Sequence, residues 1–346
     1  MLLSYQPYAL EFLHPFGVHG DTRLRTPSIM LRLESEGIIG YGEACLPPYL
    51  GQTVEKTLEF LRKATELLNK IPDSLQISEI RNLLSPFAHS TYAGLASVDI
   101  ALNDLYAKKA GLCYREWKGF DTDISRETAH TIGIGDFKQL PGKIEEAREF
   151  PILKIKLGTD RDKEIIRFIR EHTAKPIFVD VNQGWKDPVK ALAMIEWLST
   201  QNVVLVEQPL PVAMKKEMAW LTRRSPLPTI ADESVQRFSD LARLDGSFSG
   251  VNIKLMKSTG LDETVRMIAY ANEHHLKVML GCMAESSCGT TAMAQLAQFA
   301  HYLDLDAPRL YLNDPFTGLS YKNGKIVLNH LPGLGVEPKP VLFGMP

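Results

Sequence analysis

Pro151-Ile-Leu-Lys-Ile-Lys-Leu-Gly158 decides how the rest of the chain folds. Lys154 and Lys156 lie one residue apart inside an apolar run that reads as a buried strand. Strand side chains alternate faces, so both lysines point one way and Ile155 the other. An ammonium group in such a run needs a partner or a task, because an unpaired buried charge is costly. The competing reading is an edge strand with a solvated lysine face. The runs that follow decide between the two.

Short apolar runs recur at 128–134, 153–157, 177–181, 203–206, 229–231, 251–253, 277–280 and near 302–305. Amphipathic stretches such as 163–172, 188–199 and 262–274 lie between most of them. From the second run onward the spacing is roughly 25 residues, the length of a repeating strand–helix unit. The fold class is therefore α/β: eight strands closing a modified TIM or (β/α)8-type barrel, with its active site at the C-terminal strand ends. A doubly wound open sheet competes, but Gly133-Ile-Gly135 lacks a third glycine and no helix clearly follows it.

Ahead of the barrel the chain reads as an α+β cap. Runs at 28–34 and 38–42 flank a Ser35-Glu-Gly37 turn and predict a hairpin. Helical patterns follow at 53–69, capped by Thr53, and at 78–84 and 93–109. The segment from His19 to Thr26, carrying Asp21, Arg23 and Arg25, reads as a polar loop, and 46–53 as a second loop. Past Pro308 the chain is rich in turns and is expected to cross back to the cap. The expected domains are a cap over 1–120, completed by about 320–346, and a barrel over 121–319.

Bulk composition excludes several classes. Of 346 residues 45% are hydrophobic and 23% charged, with a formal net charge of −2 and no cluster of Lys and Arg. That is a globular balance, with nothing to attract nucleic acid or an anionic membrane surface. Cys45, Cys113, Cys282 and Cys288 form no CxxC or Cys/His array and read as reduced thiols. No basic leader and no apolar run of ~18 residues is present, so the expected location is the cytoplasm.

The strand ends carry the chemistry. Lys154 and Lys156 lie on the second strand, Asp180 and Asn182 end the third, and Glu207 ends the fourth. Asp232 and Glu233 end the fifth, Lys254 the sixth, Glu285 lies past the seventh, and Asp304 and Asp306 lie on the eighth. One capping aspartate is ordinary, but ionisable groups at successive strand ends point to an active site. Asp180, Glu207 and Asp232 form an all-oxygen set suited to Mg2+, with Mn2+ as the second choice. A cluster of caps and ion pairs is the alternative, though three close carboxylates repel without a cation. Lysines on strands two and six face each other across a barrel mouth with the metal set between them. A second ammonium and a nearby cation both favour a neutral, basic lysine. The reaction implied is removal of a proton α to a carboxylate, with Mg2+ stabilising the enediolate.

The motifs Leu153-Lys-Ile-Lys-Leu-Gly158, Val179-Asp-Val-Asn-Gln-Gly-Trp185, Val206-Glu-Gln-Pro-Leu210, Ala231-Asp-Glu-Ser234 and Asn252-Ile-Lys-Leu-Met-Lys257 resemble the muconate-lactonising subgroup of the enolase superfamily. The resemblance runs along nearly the whole chain. It implies Asp180, Glu207 and Asp232 as Mg2+ ligands, Lys156 and Lys254 as the two acid/base groups, and Lys154 as electrostatic support. Asn182 and Glu233 would orient ligands and lysines. Where relatives usually carry Lys-x-Gly-Gly, this chain has Lys257-Ser-Thr-Gly260, a change expected to alter that loop but not the base.

Leu303-Asp-Leu-Asp306 resembles the Asp-x-Asp motif of dipeptide epimerases, in which the aspartates receive the free α-ammonium of the substrate. Muconate and succinylbenzoate carry no ammonium. The resemblance thus implies an isomerase, a Mg2+-dependent dipeptide epimerase of the L-Ala-D/L-Glu type, inverting the C-terminal residue's α-carbon by two-base proton transfer. An o-succinylbenzoate synthase or a muconate-type cycloisomerase remains open, as does a metal-binding barrel without catalysis. In relatives an arginine in the first cap loop meets the glutamate side chain. Counting from Pro15-Phe16 puts Asp21 at that position, which leaves His19, Arg23 and Arg25 as candidates and opens hydrophobic or cationic side chains. Thr131, Met283 and Glu285 are the substrate-side candidates on the barrel. The expected partner is a dipeptide of peptidoglycan origin, and a homo-oligomer is left open.

Overall fold

The computed structural model describes residues 1–18, 21–48, 51–123, 125–133, 137–244 and 246–344. Strands β1 (Leu2–Val18), β2 (Asp21–Ser35) and β3 (Ile38–Cys45) form an antiparallel sheet in that order. The β2–β3 hairpin turns at Glu36 and Gly37, both at positive φ, as its Ser-Glu-Gly signature requires. Four helices follow: α1 (Val54–Leu68), α2 (Ile77–Leu84), α3 (Tyr92–Lys109) and α4 (Tyr114–Lys118). Thr53 caps α1 as expected, its hydroxyl accepting the Lys56 N–H at 3.3 Å.

Helix α3 is the core of the cap and is buried nearly all round. Gly40 and Gly42 let β3 lie directly on it. A Cβ on either would stand 2.2 Å from the Ala101 carbonyl oxygen or 2.1 Å from that of Ser97.

One local expectation is corrected. The segment from Asp21 to Thr26 is not a loop but the start of β2, paired with β1 as far as Val18 opposite Asp21. Thr22, Leu24 and Arg25 are exposed, and the positions turned inward are Arg23 and Thr26, so the stretch shows no apolar face and no alternation of polarity. His19 lies outside the described residues, as do Tyr49 and Leu50 of the second expected loop.

After the short strand β4 (Arg126–Glu127), eight parallel strands are hydrogen-bonded in sequence order. They are β5 (Ala129–Ile132), β6 (Ile152–Lys156), β7 (Ile177–Asp180), β8 (Val203–Glu207), β9 (Thr229–Ala231), β10 (Gly250–Ile253), β11 (Lys277–Gly281) and β12 (Tyr302–Asp304). The first and last strands meet through side chains. Thr128 Oγ1 accepts the Leu305 N–H at 2.9 Å, and Asp306 Oδ2 accepts the Thr131 N–H at 2.6 Å. Between the strands run α5 (Leu140–Glu146), α6 (Asp162–His172), α7 (Pro188–Ser199), α8 (Lys215–Thr222), α9 (Phe238–Leu241), α10 (Leu255–Ser258), α11 (Leu261–Glu273) and α12 (Ser287–Ala294). No described helix is long and apolar enough to cross a membrane.

The tail touches both parts of the chain. Strand β13 (Phe316–Thr317) pairs with β16 (Glu337–Pro338), and the hairpin β14 (Ser320–Lys322) and β15 (Lys325–Val327) pairs with β4. Beyond the hairpin, the Leu334 N–H donates to Asp104 Oδ1 on α3 at 2.7 Å.

The two-residue strand period places the site. Ala129, Phe178, Leu205, Ile230 and Met279 fill the barrel interior as a separate apolar cluster. Two residues further along the same faces stand Thr131, Asp180, Glu207, Asp232 and Gly281. An apolar layer thus floors the barrel, and a polar layer lies directly above it at the C-terminal ends.

Candidate active site

On β6, Leu153 and Ile155 join the surrounding apolar core, whereas Lys154 and Lys156 turn inward. Lys154 is 1% exposed, so the solvated edge-strand reading fails. Its Nζ lies 2.6 Å from Asp304 Oδ2, 2.8 Å from Glu207 Oε2 and 3.2 Å from Asp180 Oδ2. Lys156 Nζ donates to Asp180 Oδ2 at 2.6 Å. On the far side of the ring, Lys254 Nζ donates to Asp232 Oδ2 at 2.7 Å.

Asp180, Glu207 and Asp232 are all buried, and each offers a carboxylate oxygen within 4.8 Å of the other two. All the donors are hard oxygens, the set a divalent cation such as Mg2+ prefers. Crowding shows in the protonation balance. Burial raises Glu207 to about 7, with the Asp180 charge adding to the rise. Burial also opposes the Asp180 and Asp232 anions, but facing ammonium groups outweigh it. Lys156 and Lys154 hold Asp180 down, and Lys254 and Lys257 hold Asp232 well below the carboxylate range. Burial opposes the Lys154 cation too, yet Asp304, Glu207 and Asp180 keep it charged well above the ordinary lysine range.

Three residues of this layer carry no assignment from the strand-end pattern. Lys257 Nζ, from α10, donates to Asp232 Oδ1 at 2.6 Å, to the Asp232 carbonyl at 2.7 Å and to the Asn252 carbonyl at 3.0 Å. Asn252 Nδ2 donates to Glu207 Oε1 at 2.7 Å. Gln208 Oε1 accepts the N–H groups of Asp232 at 3.0 Å and Ser234 at 3.1 Å. The first two were legible: Asn252 precedes Lys254 on the same strand face, and Lys257 follows Lys254 by three residues, one helical turn. Gln208 adjoins Glu207 and carries no such mark.

A cavity of about 300 Å3 opens over this layer. Lys154, Lys156, Lys254, Asp232, Asp304, Asp306, Thr131, Met283, Asn182, Glu233 and Arg23 all line it, so the expected constellation comes together in one place. Thr131 Oγ1 lies 3.3 Å from both Asp304 Oδ1 and Asp306 Oδ1 and ties the two aspartates to each other. Burial, then the Asp304 charge, lifts Asp306 to about 7. Asn182 Nδ2 reaches Glu233 Oε1 at 3.4 Å, and burial raises Glu233 to about 7 with Asp232 and Asp180 adding to it.

Two candidates fall elsewhere. Arg25 is exposed on β2 opposite Glu11, because the β1 register shifts between Glu11 and Phe16 and separates its environment from that of Arg23. Glu285 does not line the cavity; its carboxyl folds back onto the Met283 N–H behind the wall. From the cap, Phe16 and Arg23 line the cavity, and no described residue of 46–53 does.

Comparison with known proteins agrees with this architecture. Residues 8–116 match the mandelate racemase/muconate lactonizing enzyme N-terminal domain, and 140–341 match the enolase C-terminal domain-like model. An L-Ala-D/L-Glu epimerase of Bacteroides thetaiotaomicron is 44% identical over 97% of this chain and 88% of its own length. The substrate-liganded L-Ala-D/L-Glu epimerase of Bacillus subtilis superposes with a TM-score of 0.91 at 25% identity, covering 98% of both chains. A dipeptide epimerase of Enterococcus faecalis, in complex with Mg and L-Leu-L-Tyr, gives a TM-score of 0.90 at 28% identity, covering 97% of this chain and 99% of that one. With the barrel, the cap and both domain models in agreement, the chain belongs to the enolase superfamily, in its mandelate racemase/muconate lactonizing enzyme branch.

Proposed function

We propose that this protein is a Mg2+-dependent dipeptide epimerase of the L-Ala-D/L-Glu type, acting in the cytoplasm on peptides derived from peptidoglycan. One observation carries the reading. Asp304 and Asp306, joined through Thr131, stand in the same cavity as two lysines on opposite sides of a carboxylate triad. An ammonium-bearing substrate satisfies that aspartate pair, whereas a purely anionic substrate is repelled by it. The same feature disfavours the succinylbenzoate and muconate alternatives.

In this reading Asp180, Glu207 and Asp232 would hold Mg2+, and the chemistry it would supply is Lewis-acid stabilisation of negative charge at the substrate carboxylate. Lys156 Nζ takes the α-proton of the C-terminal residue from one face, and Lys254 Nζ delivers a proton to the other, giving the inverted centre. The reverse direction exchanges their roles. Lys154, held charged by Asp304, Glu207 and Asp180, fixes the field at the reacting carbon without changing its own proton. Lys257 and Asn252 orient Asp232 and Glu207. Asp304 and Asp306 receive the N-terminal ammonium, and Arg23 faces the side chain of the C-terminal residue, which favours an acidic one. The cap and the tail form one unit over the barrel in this reading, with limits near 1–120, 320–346 and 121–319.

The test is proton-to-deuterium exchange in D2O with Mg2+ across L,L-dipeptides, read by mass spectrometry. Deuterium should enter the C-terminal α-position, fastest for L-Ala-L-Glu, and vanish with EDTA and in Lys156→Ala. No exchange with any dipeptide overturns the proposal.

A further inference from the structure

Two carboxyl groups outside the catalytic layer are fully buried where the cap sheet meets the barrel. They are Glu43 on β3 and Glu285 in the turn from β11 to α12. Both press on one point: a Cβ on Gly289 would stand 2.8 Å from Glu285 Cγ and 3.2 Å from Glu43 Oε2. Two carboxylates so placed, away from water, strongly disfavour double ionisation. Their donors tell them apart. Glu43 accepts the Ser286 N–H at 3.0 and 3.1 Å, the Gly289 N–H at 3.1 Å and the Ser286 hydroxyl at 2.6 Å, with the Ser28 hydroxyl at 3.4 Å. This is the first turn of α12, where the helix dipole also favours an anion. Glu285 accepts main-chain N–H groups, from Met283 and its own residue. The anion therefore belongs on Glu43 and the proton on Glu285.

The pair grips a strained turn. Ala284 sits at φ 71, in the left-handed region a residue with a Cβ avoids. Its carbonyl accepts the Tyr311 hydroxyl at 2.5 Å and the Cys45 thiol at 3.2 Å, and the same thiol lies 3.4 Å from the Met283 carbonyl. Cys45 follows Glu43 by two residues on β3, so one cap strand holds both ends of the turn. Met283 and Ala284 form part of the cavity wall.

We propose that Glu43 and Glu285 are a positioning pair for the epimerisation site: Glu43 is the anion that seats α12, Glu285 is a neutral acid beside it, and together they hold the Met283–Ala284 wall in place. What that wall does rests on the epimerase reading; the state of the pair does not.

Burial is the main cause lifting both groups, Glu285 to about 8 with Glu43 adding to it, and Glu43 to about 7 against the pull of its Ser286 and Gly289 donors. Of the other groups facing them, the thiols and the phenol are neutral, and the two charged ones oppose this order without matching the four close donor contacts on Glu43. Burial holds the Cys45, Cys282 and Cys288 thiols and the Tyr311 phenol neutral, well above their ordinary values. Asp314, from the tail, works against the Glu43 anion, while Lys254 favours ionisation of Glu285 and Arg23 faces Cys45 and Tyr311. Because the folded value of Glu285 lies above the unfolded one, the stability it brings is whole below about pH 4.5. That stability is lost as pH rises through about 8. The corresponding loss for Glu43 passes through about 7, so the part of the decline that Glu285→Gln removes is the part that reports on Glu285.

The experiment follows Tm from about pH 5 to about pH 9 in saturating Mg2+ for the wild type, Glu285→Gln and Glu43→Gln. Glutamine mimics a neutral acid, so Glu285→Gln should fold and should not follow the wild-type decline between about pH 7 and about pH 8. Its infrared spectrum at neutral pH should lack one protonated-carboxyl C=O band that the wild type shows. Glu43→Gln, which removes the anion that seats α12, should raise KM for L-Ala-L-Glu about tenfold with kcat changed less. A Glu285→Gln protein that fails to fold, keeps the wild-type Tm profile or keeps the infrared band overturns the proposal. So does a Glu43→Gln protein that loses kcat with KM unchanged. Tm and infrared need no substrate, so they stand or fall separately from the epimerase reading.

Discussion

Arg23 and Arg25 lie on one strand two residues apart, yet only Arg23 lines the cavity, its guanidinium carbon 5.6 Å from the Phe12 ring centroid. Removing its charge should cost a ligand carboxylate one charge-assisted hydrogen bond, about 1.5–3 kcal/mol. Arg23→Met is therefore expected to lower kcat/KM for L-Ala-L-Glu by roughly 10- to 100-fold while sparing dipeptides with an uncharged C-terminal side chain. Arg25→Met should change neither, and steady-state kinetics on both substrate classes checks the pair. Sequence reasoning kept both arginines because it could not see the register shift in β1 that separates them. The inward lysines and carboxylates were readable because they sit on regular strands, where a period of two fixes the face. Glu285 was readable as polar and near a strand end. Only the packed structure shows it turned behind the wall, since it lies past the strand where that period stops.

The same contrast holds for whole elements. All eight barrel strands fall within two residues of the apolar runs that announced them, because each buries an apolar face, whereas the start of β2 was read as a loop because the side chains it turns inward, Arg23 and Thr26, are polar. At the junction of α10 and α11, where the resemblance implies a glycine pair, Thr259 sits at φ 60 and Gly260 at φ 111. A left-handed residue with a Cβ costs roughly 1–2 kcal/mol. Here the threonine hydroxyl donates to Glu263 Oε2 at 2.6 Å and accepts from Arg81 Nη2, on α2, at 3.0 Å. Each is a hydrogen bond to a charged group, worth about 1.5–3 kcal/mol, so the two together exceed the strain. Thr259→Gly, although it restores the glycine, should therefore destabilise the protein by about 1 kcal/mol or more. A urea titration showing a midpoint equal to or above wild type would refute this account. Lys257 opens this junction and bonds Asp232, so a looser turn should also slacken the triad.

Across the molecule, the charges at the barrel mouth balance in a way that depends on what occupies it. Lys154, Lys156, Lys254 and Lys257 each lie within 3.2 Å of a carboxylate oxygen of Asp180, Glu207, Asp232 or Asp304. A divalent cation among the carboxylates competes with those ammonium groups for the same oxygens, and cation binding and folding are then linked. A ligand that binds only the folded state adds about 2.7 kcal/mol at a hundredfold excess over its Kd. Tm should accordingly rise with Mg2+ concentration and fall back on adding EDTA, while Ca2+, larger and tolerant of irregular shells, should give a smaller shift. Glu207→Gln separates the linkage from the fold. A neutral amide can still accept the Asn252 side chain, but its NH2 then faces the Lys154 ammonium, so the metal-free variant should melt below the metal-free wild type, and the reading is the size of the Mg2+-dependent rise in each protein. The variant's rise should shrink by most of its size, because one of three anionic ligands is gone. A Glu207→Gln protein with the full wild-type shift would mean that the cation is held elsewhere than on this triad.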